Sequence, residues 1–394
     1  MVTEAVVTPK LLRWARERQH LSTVSVAERV KVSQERLEEW ELGDARPTFR
    51  QAQTLAHQLN VPFGYLFLST PPSEELPLPD LRTVANEPPK QPSPELSDLL
   101  SDVLRKQQWY REYQREEGAQ PLAFVGRYSA ADKPEIIAAN LREMVGINDE
   151  MRRRARSSDD YLRLLVAQTE AIGVLVLRSG VVENNTHRTL NVQEFRGFAI
   201  SDPLAPLIFI NGQDAKAGQI FTLAHELAHL WIGQSGISNV DAPAASSSTD
   251  NRSERLCNRV AAESLMPSDV FLLTWKPSES VENNLRTVAL AFKVSAVAVL
   301  RKAHDLKLIT DQTYRSRYGA LLERHQGGGS QDGGGNFYST LYARSSRTLT
   351  ATLLTALAEG RVLHKEAAGL LNVKVSTLSR IRNDLLARRG MPIG

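Results

Sequence analysis

A single cysteine, Cys257, stands among 394 residues. That excludes an internal disulfide framework and suits a reducing compartment. No apolar run reaches the ~20 residues that a helix needs to span a bilayer. The opening Met-Val-Thr-Glu-Ala-Val-Val lacks the basic and apolar regions of a secretory signal. These absences lead to the expectation of a soluble, cytoplasmic protein with no membrane partner. Neither sign of charge dominates: 48 Lys and Arg against 45 Asp and Glu leave a net +3. Any affinity for nucleic acid must therefore come from local patches and not from the bulk field. What the chain does have is an ordinary globular mixture, 42% hydrophobic and 24% charged. Its length suits two or three domains, each able to bury a core.

The most specific pattern is His225-Glu226-Leu227-Ala228-His229. On a helix, residues four apart leave the same face, so both imidazoles can meet at one ion. Glu226 sits about 100° round the axis from His225. It is placed to reach a water beside the ion and not to join the ligand pair. His-Glu-x-x-His on a helix is a zinc site with its own general base. A catalytic zinc takes three protein ligands and leaves one position open. The candidate third ligand is Glu254, on a downstream helix whose Ala261 and Ala262 permit close packing; Asp241, Asp250 and Glu263 are its rivals. Asn258, one turn after Glu254, could accept the outer N–H of a ligating histidine and fix its tautomer. An oxyanion donor is not identifiable by pattern; His187, Arg188 and Tyr161 are candidates.

Five segments follow from composition and periodicity. Residues 1–70 read as short helices: Ala27, Val30, Val32 and Leu37 have the spacing of a helix-turn-helix, with Ser33 as N-cap and Gly43 as stop. Residues 71–94 are a proline-rich linker. Residues 95–325 form a central domain with helices near 96–117, 134–146 and 158–171. Strand-like runs follow at Gly173–Leu177, Phe195–Ile200 and Leu207–Ile210. The metal helix spans Ala217–Ile232, and later helices lie near 253–264, 280–303 and 311–324. Arg152, Arg153, Arg154 and Arg156 read as a solvated basic helix face. Residues 326–335 form a glycine-rich hinge. Residues 336–394 are a small basic helical unit in which Ala368, Leu371, Val373 and Leu378 repeat the helix-turn-helix spacing; a plain helical hairpin is the alternative. The expected fold class is mainly α with a small sheet, α+β, with a zincin-like central domain.

Two resemblances attach to these residues. The first segment, with Trp40-Glu41-Leu42-Gly43 and Pro47-Thr48, resembles the Cro/repressor-type (XRE) helix-turn-helix domain. The central segment resembles the ImmA/IrrE family of zinc metallo-endopeptidases. The match runs through Glu194-Phe195-Arg196-Gly197-Phe198-Ala199-Ile200, Pro206-Leu207-Ile208-Phe209-Ile210-Asn211 and Phe221 to Leu230. It continues through Glu254, Asn258, Ala261, Ala262, Leu265, Met266 and Pro267. The resemblance implies zinc held by His225, His229 and Glu254, with Glu226 as base. It also implies a protein substrate of the helix-turn-helix repressor or antitoxin-like kind, cut in a stress response or in control of a mobile element. Fusion of a helix-turn-helix module in the same chain departs from the stand-alone protease. It leaves a second reading open: a DNA-binding regulator or antitoxin whose peptidase-like domain senses a partner.

Charge divides the two flanking modules. Around the expected recognition helix lie Glu35, Glu38, Glu39 and Glu41, which repel phosphate. Gln34 and Arg36 are the candidates for base contact there, with Arg46 and Arg50 for the backbone. A protein-docking or homodimerising module is the alternative. In the C-terminal unit, Lys374, Arg380 and Arg382 are the candidates for phosphate contact.

Overall fold

A computed structural model describes residues 3–72, 78, 92–238, 249–325 and 336–388. It divides the chain into two compact units, residues 1–76 with 92–97, and residues 77–91 with 98–394. The proline-rich stretch expected at 71–94 lies largely, and the glycine-rich stretch at 326–335 wholly, outside the described residues.

The first unit is helical. Its elements are α1 (Pro9–Arg18), α2 (Thr23–Val30), α3 (Gln34–Leu42), α4 (Phe49–Gln58) and a 3-10 turn at Phe63–Phe67. The sharp joint between α2 and α3 follows from its residues. Lys31 closes α2 in the left-handed region at φ 58°, and Ser33 Oγ accepts the Arg36 amide at 3.2 Å. Gly43 ends α3 at φ 91°, a backbone that glycine adopts without strain. Ala27, Val30 and Leu37 enter the core with Leu12, Val26, Trp40 and Leu55. Thr48 and Gln51 form a reciprocal capping box at the start of α4.

The second unit is built on α5 (Pro94–Glu116) from residue 98 onward, α6 (Pro134–Val145), α7 (Asp149–Arg154), α8 (Ser158–Ala171), β1 (Leu175–Ser179), β2 (Gly197–Ile200) and β3 (Leu207–Asn211). It continues with α9 (Lys216–Trp231), β4 (Gly236–Ser238), α10 (Thr249–Leu265), α11 (Ser268–Thr274), α12 (Val281–Phe292), α13 (Ala296–Asp305) and α14 (Asp311–His325). It ends with α15 (Phe337–Ser345), α16 (Arg347–Ala358), α17 (His364–Leu370) and α18 (Leu378–Arg388). The sheet order is β1-β3-β2-β4, with β1 parallel to β3 and the other two pairs antiparallel. The protein is thus mainly α with a small mixed sheet.

The sheet positions α9. Glycine at Gly197 is required by close approach: a Cβ there would sit 2.6 Å from Thr222 Cγ2 and 2.9 Å from the Phe209 carbonyl oxygen. The helix therefore lies directly on β2, and it is buried continuously from Thr222 to Trp231. Its last turn is held as well. The Gly126 amide donates to the Leu230 carbonyl at 2.9 Å, and the Tyr128 amide to that of Trp231 at 3.0 Å. Trp231 stacks on Phe124 and donates its indole N–H to Asn140 Oδ1 at 2.9 Å.

Residues 336–388 pack within this second unit, α15 lying against β1. Ser346 Oγ and the Arg347 amide donate to the half-buried Glu170 carboxylate. Asn372 Nδ2 donates to Asp102, whose charge is met by the buried Lys106 ammonium at 2.6 Å.

Two local expectations are corrected. The stretch 280–303 is two helices and not one, because Lys293 turns left-handed at φ 59° and Ser295 caps the next helix. The arginine run is only partly a solvated face: Arg152 is buried, donates to the Leu265 carbonyl at 3.1 Å and lies over the Phe292 ring.

Candidate metal centre

Helices α9 and α10 pack together and bring three side chains to one point. His225 Nε2 and His229 Nε2 are 3.0 Å apart. Glu254 Oε2 is 3.2 Å from His225 Nε2, and Glu254 Oε1 is 3.1 Å from His229 Nε2. Both histidines are fully buried, and the Glu254 side chain is 17% exposed. Burial alone would raise the Glu254 carboxyl. The two neighbouring histidines, His225 foremost, outweigh it and hold the group below the usual carboxylate range.

The tautomer of His225 is fixed by Asn258, whose Oδ1 lies 3.1 Å from His225 Nδ1. An amide oxygen only accepts, so Nδ1 carries the proton and Nε2 presents a lone pair. Three electron-rich atoms from His225, His229 and Glu254 thus converge in a buried space, an arrangement that calls for a cation. Two imidazoles and one carboxylate are the donor set of a catalytic zinc site.

Glu226 stands apart from this trio. It is fully buried, and neither carboxylate oxygen has a hydrogen-bond partner among the described residues. Burial pushes its carboxyl up to about 8; His229 opposes the rise and the charge of Glu254 adds to it. Ser238 on β4 faces it closely enough to pull the value down but makes no hydrogen bond of ordinary geometry. A buried carboxyl left without a partner is costly, and groups perturbed in this way cluster at functional sites.

Sequence reasoning missed three features of this site. Ser238 lies on a three-residue strand, too short to show a period. Gly197 meets the base itself, a Cβ there falling 3.1 Å from Glu226 Oε1. Cys257, wholly buried between Glu254 and Asn258 in sequence, has its thiol pushed well above the ordinary value by burial.

The other candidates fall elsewhere. Glu263, a rival ligand, accepts from Ser268 Oγ at 2.7 Å and pairs with Lys302. Asp241 and the side chain of Asp250 lie outside the described residues. Arg188 donates to Asp98 at 2.6 Å, Tyr161 sits in the core, and His187 is exposed. In the first unit Gln34 donates to Glu38 at 2.7 Å and Arg36 pairs with Glu39 at 2.8 Å, so both are held along α3 itself. Arg46 and Arg50 are exposed, as are Lys374, Arg380 and Arg382.

Fold and site together define a regulator type: a helix-turn-helix domain joined to a metallopeptidase-like domain. The families are specific. Residues 169–304 match the IrrE N-terminal-like domain, a peptidase family, and residues 12–66 match a helix-turn-helix family of the DNA-binding kind. No curated protein matches the chain.

Proposed function

We propose that this chain is a zinc-dependent endopeptidase that cuts a regulatory protein, a helix-turn-helix repressor or an antitoxin-like partner. The observation that carries the reading is the buried Glu226 carboxyl, unpartnered and pushed up to about 8, beside the convergent His225, His229 and Glu254. His225, His229 and Glu254 would hold the ion. Zinc bound there would supply Lewis acidity and lower the pKa of a water to about 7. Asn258 orients His225 through its Nδ1 proton. Glu226 takes the proton of the attacking water and delivers it to the departing amine. A base with a pKa near neutrality suits both halves of that transfer. The closed packing of α9 on β2 and α10 excludes bulk water and strengthens the local electrostatics.

The terminal modules serve recruitment in this reading. Arg46 and Arg50 hold phosphate in the first unit, with Lys374, Arg380 and Arg382 in the C-terminal segment. Gln34 and Arg36 reach bases only after leaving Glu38 and Glu39, so sequence readout by α3 is weak. The test is incubation of the zinc-loaded chain with any helix-turn-helix or antitoxin-like regulator encoded beside it, reading fragments by mass spectrometry. Glu226→Gln should retain zinc and slow cleavage by about 10²-fold or more, the contribution of a general base. Undiminished cleavage by metal-replete Glu226→Gln protein would overturn the assignment.

A further inference from the structure

A cavity of 340 Å³ opens on the second unit, lined by α7, α11 and the end of α12. None of its lining residues is a candidate metal ligand or the proposed base. Its walls are Ala155, Val270, Leu290, Ala291 and Phe292, with Thr274, and its charged members are Asp149, Arg152, Arg153 and Lys293. The volume lies at the lower end of the roughly 300–1,000 Å³ typical of ligand pockets. Arg152 joins this cavity to the Leu265 carbonyl at the far end of α10. Glu254 lies eleven residues back along that helix, or about 16 Å by helical rise.

The charges are unequal in their commitments. Asp149 is answered by Arg152, which is buried. Arg153 is exposed and Lys293 half-buried, and neither has an ion-pair partner among the described residues. Two cations are therefore left over at the mouth of a cavity whose walls are part apolar and part polar. Lys293 also holds a left-handed backbone at φ 59°, where glycine is the usual residue.

Apolar surface continues beyond the cavity. Leu290 on its wall is 66% exposed, and Leu273, one turn along α11 from Val270, is 86% exposed. A small molecule filling the cavity would leave these leucines in water. We propose that this face docks an acidic, leucine-bearing peptide segment of a protein partner, one apolar side chain entering the cavity and its flanking carboxylates meeting Arg153 and Lys293. An amphipathic helix laid into an apolar groove is the corresponding recognition mode. The docking needs no turnover at the metal centre, so it stands or falls separately from the proposed peptidase activity.

The test uses the full-length Glu226→Gln chain, so that no probe is consumed. The probe is a short fluorescein-labelled peptide with leucines at helical spacing among glutamates, read by anisotropy. Saturable binding that weakens with salt is expected, together with none for the same peptide carrying lysine in place of glutamate. Arg153→Gln with Lys293→Gly should weaken binding by about tenfold or more, since both unpaired cations are lost. Glycine at position 293 relieves the left-handed backbone, so that loss cannot be attributed to unfolding; Leu290→Ser, at an exposed position, should weaken binding independently. Absent binding, or equal binding by the double variant or by the lysine peptide, overturns the proposal. Equal affinity for free N-acetyl-leucine overturns it too, by making the cavity a small-anion site.

Discussion

Replacing Glu226 by glutamine should stabilise the metal-free protein, and by an amount that grows with pH. The folded carboxyl is pushed up to about 8 from an ordinary 4.5. The folded state therefore binds that proton more tightly than the unfolded chain. Between those two values the unfolded chain ionises while the folded one does not, so stability falls as pH rises. The slope is about 1.4 kcal/mol per pH unit, and the whole span amounts to about 5 kcal/mol, of which about 3 kcal/mol is lost by pH 7. The amide of the Glu226→Gln variant does not titrate and has no such slope. His225, His229 and Glu254 are common to both chains and largely cancel in the difference. Urea unfolding of chelator-treated protein at about pH 5 and about pH 8 measures it. The two proteins should be close at the lower pH and differ by several kcal/mol at the higher. A difference that is the same at both, or a wild type more stable at the higher pH, would refute burial as the cause.

Three further substitutions probe the packing around this centre. Asn258→Ala should lower zinc affinity by about 10- to 100-fold, because the His225 tautomer is no longer held; competition with a chromophoric chelator reads this. Gly197→Ala should destabilise the fold by about 1–3 kcal/mol in urea unfolding, since the new methyl meets Thr222, the Phe209 carbonyl and Glu226 at once. Asp102→Ala should cost about 3–5 kcal/mol, because Lys106 is left buried without its countercharge; an unchanged unfolding midpoint would show that the ammonium finds water or another partner.

The parts of this molecule legible in its sequence are those encoded by short-range spacing. Residues four apart share a helical face, so His225 with His229, and Glu254 with Asn258, are readable as pairs. The start and end of α3 are readable because Ser33 and Gly43 announce its caps. What escapes such reading depends on contacts between distant segments. Ser238 reaches the base only through the pairing of β4 with β2, where Ile237 opposes Phe198. The break after α12 carries no glycine or proline: Lys293 adopts a glycine-like backbone, and nothing in its identity foretells that. Arg152 looks like three neighbouring arginines in sequence, yet it turns inward, because the α10 carbonyl end and the Phe292 ring lie on that side. The packing of 336–388 within the second unit includes single polar contacts such as those to Glu170 and Asp102, which no periodicity reports.

The energetics of α9 bear on the choice between an enzyme and a sensor that only grips a partner. A gripping domain needs shape and a stable core. It gains nothing from a carboxyl sealed at position 226 without a hydrogen bond, and an alanine or glutamine there would remove the cost. The histidine pair and Glu254 alone could hold an ion that staples α9 to α10, so a structural metal explains those three and Asn258. It leaves Glu226 unexplained. An expensive group, on the face beside the convergent ligands and not among them, fits proton transfer at a reacting water. That asymmetry between what a staple needs and what α9 carries is why the hydrolytic reading is preferred.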